Sequence, residues 1–147
     1  MIELPFGQDS RGCVMSFEEI EHTADRAFRV KGRDLGDLLV NAARAMHALE
    51  GVRFAEGKSG TLDLEVDGID AESLLVNWLN EILYLEQKHQ LVCGNFQSYE
   101  LSGYRVRARV QTHQRSNYQA DIKAVTFHNL KIHKTPEGLE AEVVVDV

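Results

Sequence analysis

The stretch from Thr61 to Leu83, TLDLEVDGIDAESLLVNWLNEIL, joins a strand pattern to a helix pattern and decides the fold class. After its first residue, apolar and acidic side chains alternate, which predicts a strand with one buried face. Gly68 predicts a turn, and Asp70 predicts a helix N-cap because its carboxylate can accept hydrogen bonds from the free N–H groups of the first turn. The helix that follows has an apolar stripe wide enough to lie across a sheet; the stripe consists of Leu74, Leu75, Trp78, Leu79, Ile82 and Leu83.

Another helix pattern precedes this stretch. Asp34 is placed to cap the helix and Gly51 to end it, and the apolar residues at helical spacing between them are Leu35, Leu38, Leu39, Ala42, Met46 and Leu49. Two short strand patterns come before the helix, at Phe17–Glu21 and Ala27–Lys31. We expect these two strands to be antiparallel, with His22–Asp25 at the bend between them.

The region after Gln90 shows strand patterns as far as the last residues. The patterns cover Leu91–Cys93, Phe96–Leu101, Tyr104–Val110, Ala120–His133 and Val143–Val147, and the longest of them is interrupted near Asn129. Two helices among roughly seven or eight strands predict an α+β fold, namely a mostly antiparallel β-sheet sandwich with two helices packed on it. We expect residues 17–147 to form a single domain and residues 1–16 to be a loose N-terminal leader.

Composition and charge exclude several classes of protein. The chain of 147 residues is 44% hydrophobic and 27% charged, as in ordinary globular domains. Its net charge of −7 disfavours broad, non-specific binding to nucleic acid.

No apolar run approaches the roughly 18 residues of a membrane span, so we expect no membrane contact. Met1–Met15 lacks the pattern of a signal peptide, which predicts a cytoplasmic protein. Cys13 and Cys93 match no metal or redox spacing, and we expect both thiols to be reduced.

Two aspartates are candidates for a shared metal ion. Asp25 follows a short strand pattern, and Asp146 lies in an apolar run whose alternate faces are both apolar, which predicts a strand covered on both sides. A buried carboxylate is costly unless it is paired or bound to a cation, and the carboxylate of Val147 places a second negative charge beside Asp146. The alternatives stay open: Asp25 can bond its own backbone in a turn, and Asp146 can be solvated at the surface. Oxygen ligands of this kind suit Ca²⁺ or Mg²⁺.

Three further residues are candidates beside these aspartates. His22 can cap a turn, bond Asp25 or bind a metal ion. Lys123 shares a strand face with apolar residues, and we favour the interpretation that it lies at the strand end and extends into water; His128 lies on the opposite face. The six histidines are scattered, and their spacing supports neither a zinc site nor acyl-transfer chemistry.

A row of arginines forms the one basic stripe of this acidic chain. Arg105, Arg107 and Arg109 alternate with apolar residues. They can meet phosphates or an acidic partner, or they can protect an edge strand against the addition of another strand. We favour the edge-strand interpretation.

Taken together, four motifs resemble those of the archease family. They are Glu21-His22-Thr23-Ala24-Asp25, the helix pattern Leu74–Leu85, the segment Ile122–His128 and the terminal Val145-Asp146-Val147. They occur in the family's order and with comparable spacing, from about Phe17 to Val147. The chain departs from the family pattern at three positions: Arg26 replaces an apolar residue, Phe127 replaces a tyrosine and Asn129 replaces a glycine.

The resemblance implies an accessory protein and not an enzyme. Archease-like proteins activate the GTP-dependent tRNA-splicing RNA ligase by promoting its guanylylation and multiple turnover. That ligase joins RNA ends bearing a 3′-phosphate or 2′,3′-cyclic phosphate to a 5′-hydroxyl, so RNA is reached only indirectly or through the ligase. By position, the resemblance implies a divalent metal ion, Ca²⁺ or Mg²⁺ with Ca²⁺ favoured, held by Asp25, Asp146 and main-chain oxygen of Val147. It also implies a functional role for Lys123, and it makes His22 and His128 further candidates.

Two other classes of function stay open on the residues alone. One is a stand-alone metal-dependent hydrolase that uses Asp25, Asp146 and either His22 or His128, although no nucleophile or base stands out beside a phosphate-binding loop. The other is a chaperone-like protein-interaction module in which the wide helix faces supply an exposed apolar groove.

Overall fold

The computed structural model describes residues 17–21, 26–51, 54–115 and 122–147. The predicted leader and the predicted bend at His22–Asp25 lie outside the described residues. The strands are β1 Phe17–Glu21, β2 Arg26–Gly32, β3 Phe54–Asp67, β4 Leu91–Ser102, β5 Arg105–Arg115, β6 Ala124–Thr126, β7 Ile132–Thr135 and β8 Gly138–Asp146. The helices are α1 Leu35–Glu50 and α2 Ala71–His89.

The strands form two antiparallel sheets. One has five strands in the order β1-β2-β8-β6, with β7 also paired to β8, and the other has three strands in the order β3-β5-β4. This arrangement confirms the predicted α+β fold. The last strand, β8, has β2 on one side and β6 and β7 on the other, so it is internal to its sheet.

Both helices begin at the predicted caps, and α1 ends at the predicted glycine. The Asp34 carboxylate accepts a hydrogen bond from the Asp37 N–H at 2.8 Å, and Gly51 ends α1 in the left-handed region with φ 68°. Asp70 and Ser73 form a reciprocal capping box at the start of α2. These caps satisfy the backbone groups that a helix end leaves free, and they fix where each helix starts relative to the preceding strand.

The hydrophobic core lies between the helices and the sheets, and each helix contacts both sheets. Trp78 on α2 is buried, and its indole Nε1–H donates a hydrogen bond to the carbonyl oxygen of Leu39 on α1 at 2.8 Å. Its ring also lies against Phe96 of β4, with the ring centroids 5.5 Å apart. The one tryptophan therefore joins both helices to the smaller sheet. No helix in the described ranges is long and apolar enough to cross a bilayer.

Several strand boundaries differ from the predicted ones. Strand β3 begins at Phe54, seven residues before the alternation that predicted it. The two patterns after Gln90 are one strand, β4, with irregular pairing between Cys93 and Asn95 and between Phe96 and Ser98. Such a bulge lets a strand continue where strict alternation fails, which is why the sequence pattern breaks there.

The arginine row of β5 corrects another expectation. β5 is the middle strand of its sheet, so the edge-strand interpretation is wrong. Each arginine has an acidic partner at the opposite position of β3; the ion pairs are Arg105 with Asp67, Arg107 with Glu65 and Arg109 with Asp63. The Arg109 guanidinium donates to Asp63 at 3.0 Å, and this hydrogen bond lowers the pKa of the Asp63 carboxyl below its ordinary value. The row is thus half of a ladder of cross-strand pairs.

Candidate metal site at the end of the last strand

The ends of three strands lie together along one side of the five-stranded sheet. We call this side, where β2 and β6 begin and β8 ends, the sheet edge. Arg26, the first residue of β2, lies opposite Val145 of β8. Ala124, the first residue of β6, lies opposite Asp146 on the other side of β8. Because both neighbours are antiparallel to β8, the starts of β2 and β6 flank the end of β8.

The end of β8 contains a buried apolar segment followed by an exposed acid. Val143, Val144 and Val145 are all buried, which agrees with the prediction of a strand covered on both faces. Asp146 and Val147 are exposed, and the binding of a metal ion by Asp146 stays a prediction. An exposed carboxylate next to main-chain oxygens is a donor set for a hard cation such as Ca²⁺ or Mg²⁺, which prefers oxygen ligands and keeps several waters.

Lys123 lies at the same sheet edge. Its backbone N–H donates a hydrogen bond to the carbonyl oxygen of Asp146 at 2.8 Å. Its side chain is exposed, as the favoured interpretation expects. The structure therefore brings Lys123 together with Asp146 and Val147, which follow it by more than twenty residues along the chain.

An asparagine on α2 holds β6 in position. Asn80 Nδ2 donates to the carbonyl oxygen of Val125 at 3.0 Å, and the Val125 N–H donates back to Asn80 Oδ1 at 2.9 Å. One amide thus bonds both backbone groups of one residue, as a neighbouring strand would. Gln87, two helical turns later, donates to the carbonyl oxygen of Ile122 at 3.2 Å. These contacts fix the position of β6, which directly follows Lys123.

His128 lies beyond the other end of β6. Its N–H donates to Thr126 Oγ1 at 3.3 Å, and this hydroxyl donates to the carbonyl oxygen of Val144 at 3.2 Å. Asn129, which follows, has φ 52° in the left-handed region. Asparagine tolerates that conformation better than most residues other than glycine. The structure does not bring His128 to the edge occupied by Asp146.

The other two candidates, Asp25 and His22, lie outside the described residues. Asp25 is the covalent neighbour of Arg26, and Arg26 lies opposite Val145, the covalent neighbour of Asp146. The shared site of Asp25, Asp146 and Val147 stays a prediction.

The structure also contains a separate, buried group of side chains that was not predicted from the sequence. His47 and Glu50 on α1 and Glu86 on α2 offer ligand atoms that all lie within 4.8 Å of one another, so this group could hold a metal ion. Two signals were available. His47 and Glu50 are three residues apart on a predicted helix, and Glu86 follows Ile82 and Leu83 at the spacing of the buried stripe.

The comparison with known proteins decides the family. The Archease protein family model matches residues 17–147. The chain belongs to the archease family. The archease of Methanopyrus kandleri is 37% identical over 140 residues, which cover 90% of this chain and 100% of that protein. The archease of Methanosarcina mazei is 36% identical, with 89% of this chain and 95% of the relative covered, and that of Pyrococcus furiosus is 34% identical, with 91% and 100% covered.

Two solved structures show the archease fold of this chain. The crystal structure of a Thermotoga maritima archease, described as a possible chaperone, superposes with a TM-score of 0.66 at 23% identity and covers 88% of this chain and 96% of its own. The solution structure of protein 1598 of Methanobacterium thermoautotrophicum has a TM-score of 0.66 at 25% identity, with 89% of this chain and 98% of its own covered.

Proposed function

We propose that this archease-family chain is a metal-binding accessory protein that activates the GTP-dependent tRNA-splicing RNA ligase in the cytoplasm. It promotes ligase guanylylation and multiple turnover, and it catalyses no step itself. Family membership over residues 17–147 supports the proposal. The observation that carries it is the sheet edge where β2, β6 and β8 meet, because the exposed Asp146 carboxylate lies there with Lys123 hydrogen-bonded to its main chain.

Asp25, Asp146 and main-chain oxygen of Val147 hold the divalent ion in this proposal. The connection from Asp25 through Arg26 to Val145 supports pairing of the two acids, since Arg26 and Val145 are register partners. All donors are oxygens, which favours Ca²⁺ or Mg²⁺ over softer metals. A bound ion supplies positive charge at the sheet edge, and Lys123 adds a second positive group beside it. Such an edge attracts phosphate or carboxylate groups of a partner.

The test is a guanylylation assay with the purified ligase, GTP and divalent metal, with and without this chain. Asp25→Ala and Asp146→Ala remove the proposed ligands, so each is expected to abolish the stimulation and to weaken Ca²⁺ binding in calorimetry. Glu137→Ala is a matched control, because it removes an exposed carboxylate from the turn that precedes β8. Full stimulation by both aspartate variants would contradict the site.

The same protein preparations distinguish the accessory role from the two alternative functions. If the chain alone hydrolyses a nucleotide or phosphodiester with a metal ion, it is a hydrolase and the accessory role is wrong. If it prevents aggregation of unrelated proteins without metal and leaves ligase guanylylation unchanged, it is a chaperone-like module, as the description of the Thermotoga maritima structure suggests for that protein.

A further inference from the structure

The last turns of the two helices bring three ligating side chains together. His47 and Glu50 lie three positions apart at the end of α1, and residues at this spacing project from the same helix face. Glu86 projects from the last turn of α2. The distance between His47 Nε2 and Glu86 Oε2 is 2.6 Å, and the ligand atoms of all three residues lie within 4.8 Å of one another. The set has the composition of a metal site built between two helices.

This group is buried, which raises the cost of its charges. His47 is 7% exposed, Glu86 2% and Glu50 0%. Buried carboxylates are stable only when cations or protons balance them. A divalent ion bound to the three side chains would place positive charge beside both carboxylates.

The dipoles of both helices also favour a cation at this group. α1 ends at Glu50 and α2 ends at His89, so the group sits at the C-terminal end of both helices. The C-terminal end of a helix has a partial negative charge and favours a cation. This field adds to that of the two carboxylates, and it is independent of them.

The Glu86 carboxylate also accepts a hydrogen bond from a residue outside the group. The backbone N–H of Cys93 on β4 donates to Glu86 Oε2 at 2.8 Å, which fixes the orientation of the carboxylate as outer-shell partners of metal ligands do. The donor set of the three residues is one imidazole nitrogen and the oxygens of two carboxylates.

We propose that His47, Glu50 and Glu86 bind a divalent transition metal of the Zn²⁺ class, at a site separate from the sheet edge. An imidazole with carboxylates suits Zn²⁺ and its neighbours, whereas Ca²⁺ and Mg²⁺ take oxygen ligands alone. Zn–N and Zn–O bonds place tetrahedral ligands roughly 3.3 Å apart. That separation is longer than the 2.6 Å between His47 Nε2 and Glu86 Oε2, and it is shorter than the 4.8 Å within which all the ligand atoms lie.

The probe is Co²⁺ added to the full chain after dialysis against a chelator, because Co²⁺ bound in such sites absorbs visible light. We expect one equivalent to give a visible band that Zn²⁺ removes by competition. Glu86→Gln keeps the side-chain size and an acceptor for the Cys93 N–H, and it is expected to weaken Zn²⁺ binding by more than about 100-fold, beyond the 10–100-fold loss typical of an outer-shell partner. Glu50→Gln is expected to act alike while leaving the His47–Glu86 contact in place.

Two controls keep the result specific. Asp146→Ala alters the proposed Ca²⁺ site and His128→Ala removes an exposed imidazole, so both variants are expected to keep the band. Far-UV circular dichroism checks that each variant is folded, and Glu50→Gln replaces Glu86→Gln if the latter is not. A wild-type chain without the band, or variants of Glu50 and Glu86 that bind Zn²⁺ as tightly as wild type, would overturn the proposal and leave only the hydrogen bond between His47 and Glu86.

Discussion

The asparagine that holds β6 makes the most direct link between the core and the sheet edge. Asn80 forms two hydrogen bonds with Val125, at 3.0 and 2.9 Å, and the residue is partly buried. A hydrogen bond contributes about 0.5–1.5 kcal/mol net, so Asn80→Ala is expected to cost about 2 kcal/mol in the free energy that keeps β6 docked. β6 has three residues, and β8 is the only strand paired with it in the described part of the sheet. We therefore expect the cost to appear as local opening of β6.

Hydrogen exchange of the Val125 amide measures this directly, because its N–H donates to Asn80 Oδ1. A loss of about 2 kcal/mol predicts roughly 30-fold faster exchange at Val125. Asn77→Ala is the matched control. Asn77 lies one turn earlier on α2, it is exposed, and its amide donates to the carbonyl oxygen of Asp67 at 2.9 Å. Water can replace that exposed bond, and both variants gain the same helix propensity, so the control is expected to change stability by less than about 0.5 kcal/mol.

Two results would refute this account of Asn80. One is unchanged exchange at Val125 in Asn80→Ala. The other is an equal loss of stability in both asparagine variants. If the proposed function holds, Asn80→Ala is also expected to reduce ligase stimulation without touching Asp146 or Lys123, because Lys123 directly precedes β6.

Two further predictions concern the core and the ion-pair ladder. Trp78→Phe replaces the buried indole by a smaller phenyl ring and removes the hydrogen bond from Nε1 to the Leu39 carbonyl oxygen. We therefore expect the free energy of unfolding to fall by about 2–3 kcal/mol and the Tm to be roughly 5–10 °C lower by calorimetry; an unchanged Tm would contradict the packing described for Trp78. Arg109→Ala is expected to raise the pKa of Asp63 toward its ordinary value in an NMR titration. Since the folded-state pKa is lowered, the pair's contribution to stability is complete above the ordinary pKa of Asp63 and is lost as the pH falls through the lowered value.

The helices could be predicted from the sequence because their signals are local. Asp34, Gly51 and Asp70 act on backbone groups within a few residues of themselves, and the apolar stripes repeat at the helical period. The order of the strands depends on contacts between distant segments, and alternation within a strand does not specify its neighbours. The arginine row of β5 shows this. Its alternation indicates a strand with one charged face, but the acids opposite it on β3 decide that the strand is central.

The sheet edge was predicted only in part, because it also depends on contacts between distant segments. The apolar run before Asp146 indicates a covered strand, and the buried valines agree with it. That the start of β6 lies opposite Asp146 follows from antiparallel pairing over more than twenty intervening residues, which no short-range pattern encodes. The bidentate contact of Asn80 was equally hidden, because an asparagine on a helix has the same sequence pattern whether it faces water or a strand.

The buried His–Glu group shows how residue type can mislead when position is informative. Glu86 follows Ile82 by four residues and Leu83 by three, so its position predicts burial, although its charge predicts exposure. The same conflict occurs at Glu50, four residues after Met46. A buried acid needs a partner, and here one comes from the other helix, because His47 on α1 contacts Glu86 on α2. Locally inconsistent residues are often functional or structurally compensated. Glu50 and Glu86, each in conflict with its own stripe, are therefore the residues to examine together, and the structure places them beside His47.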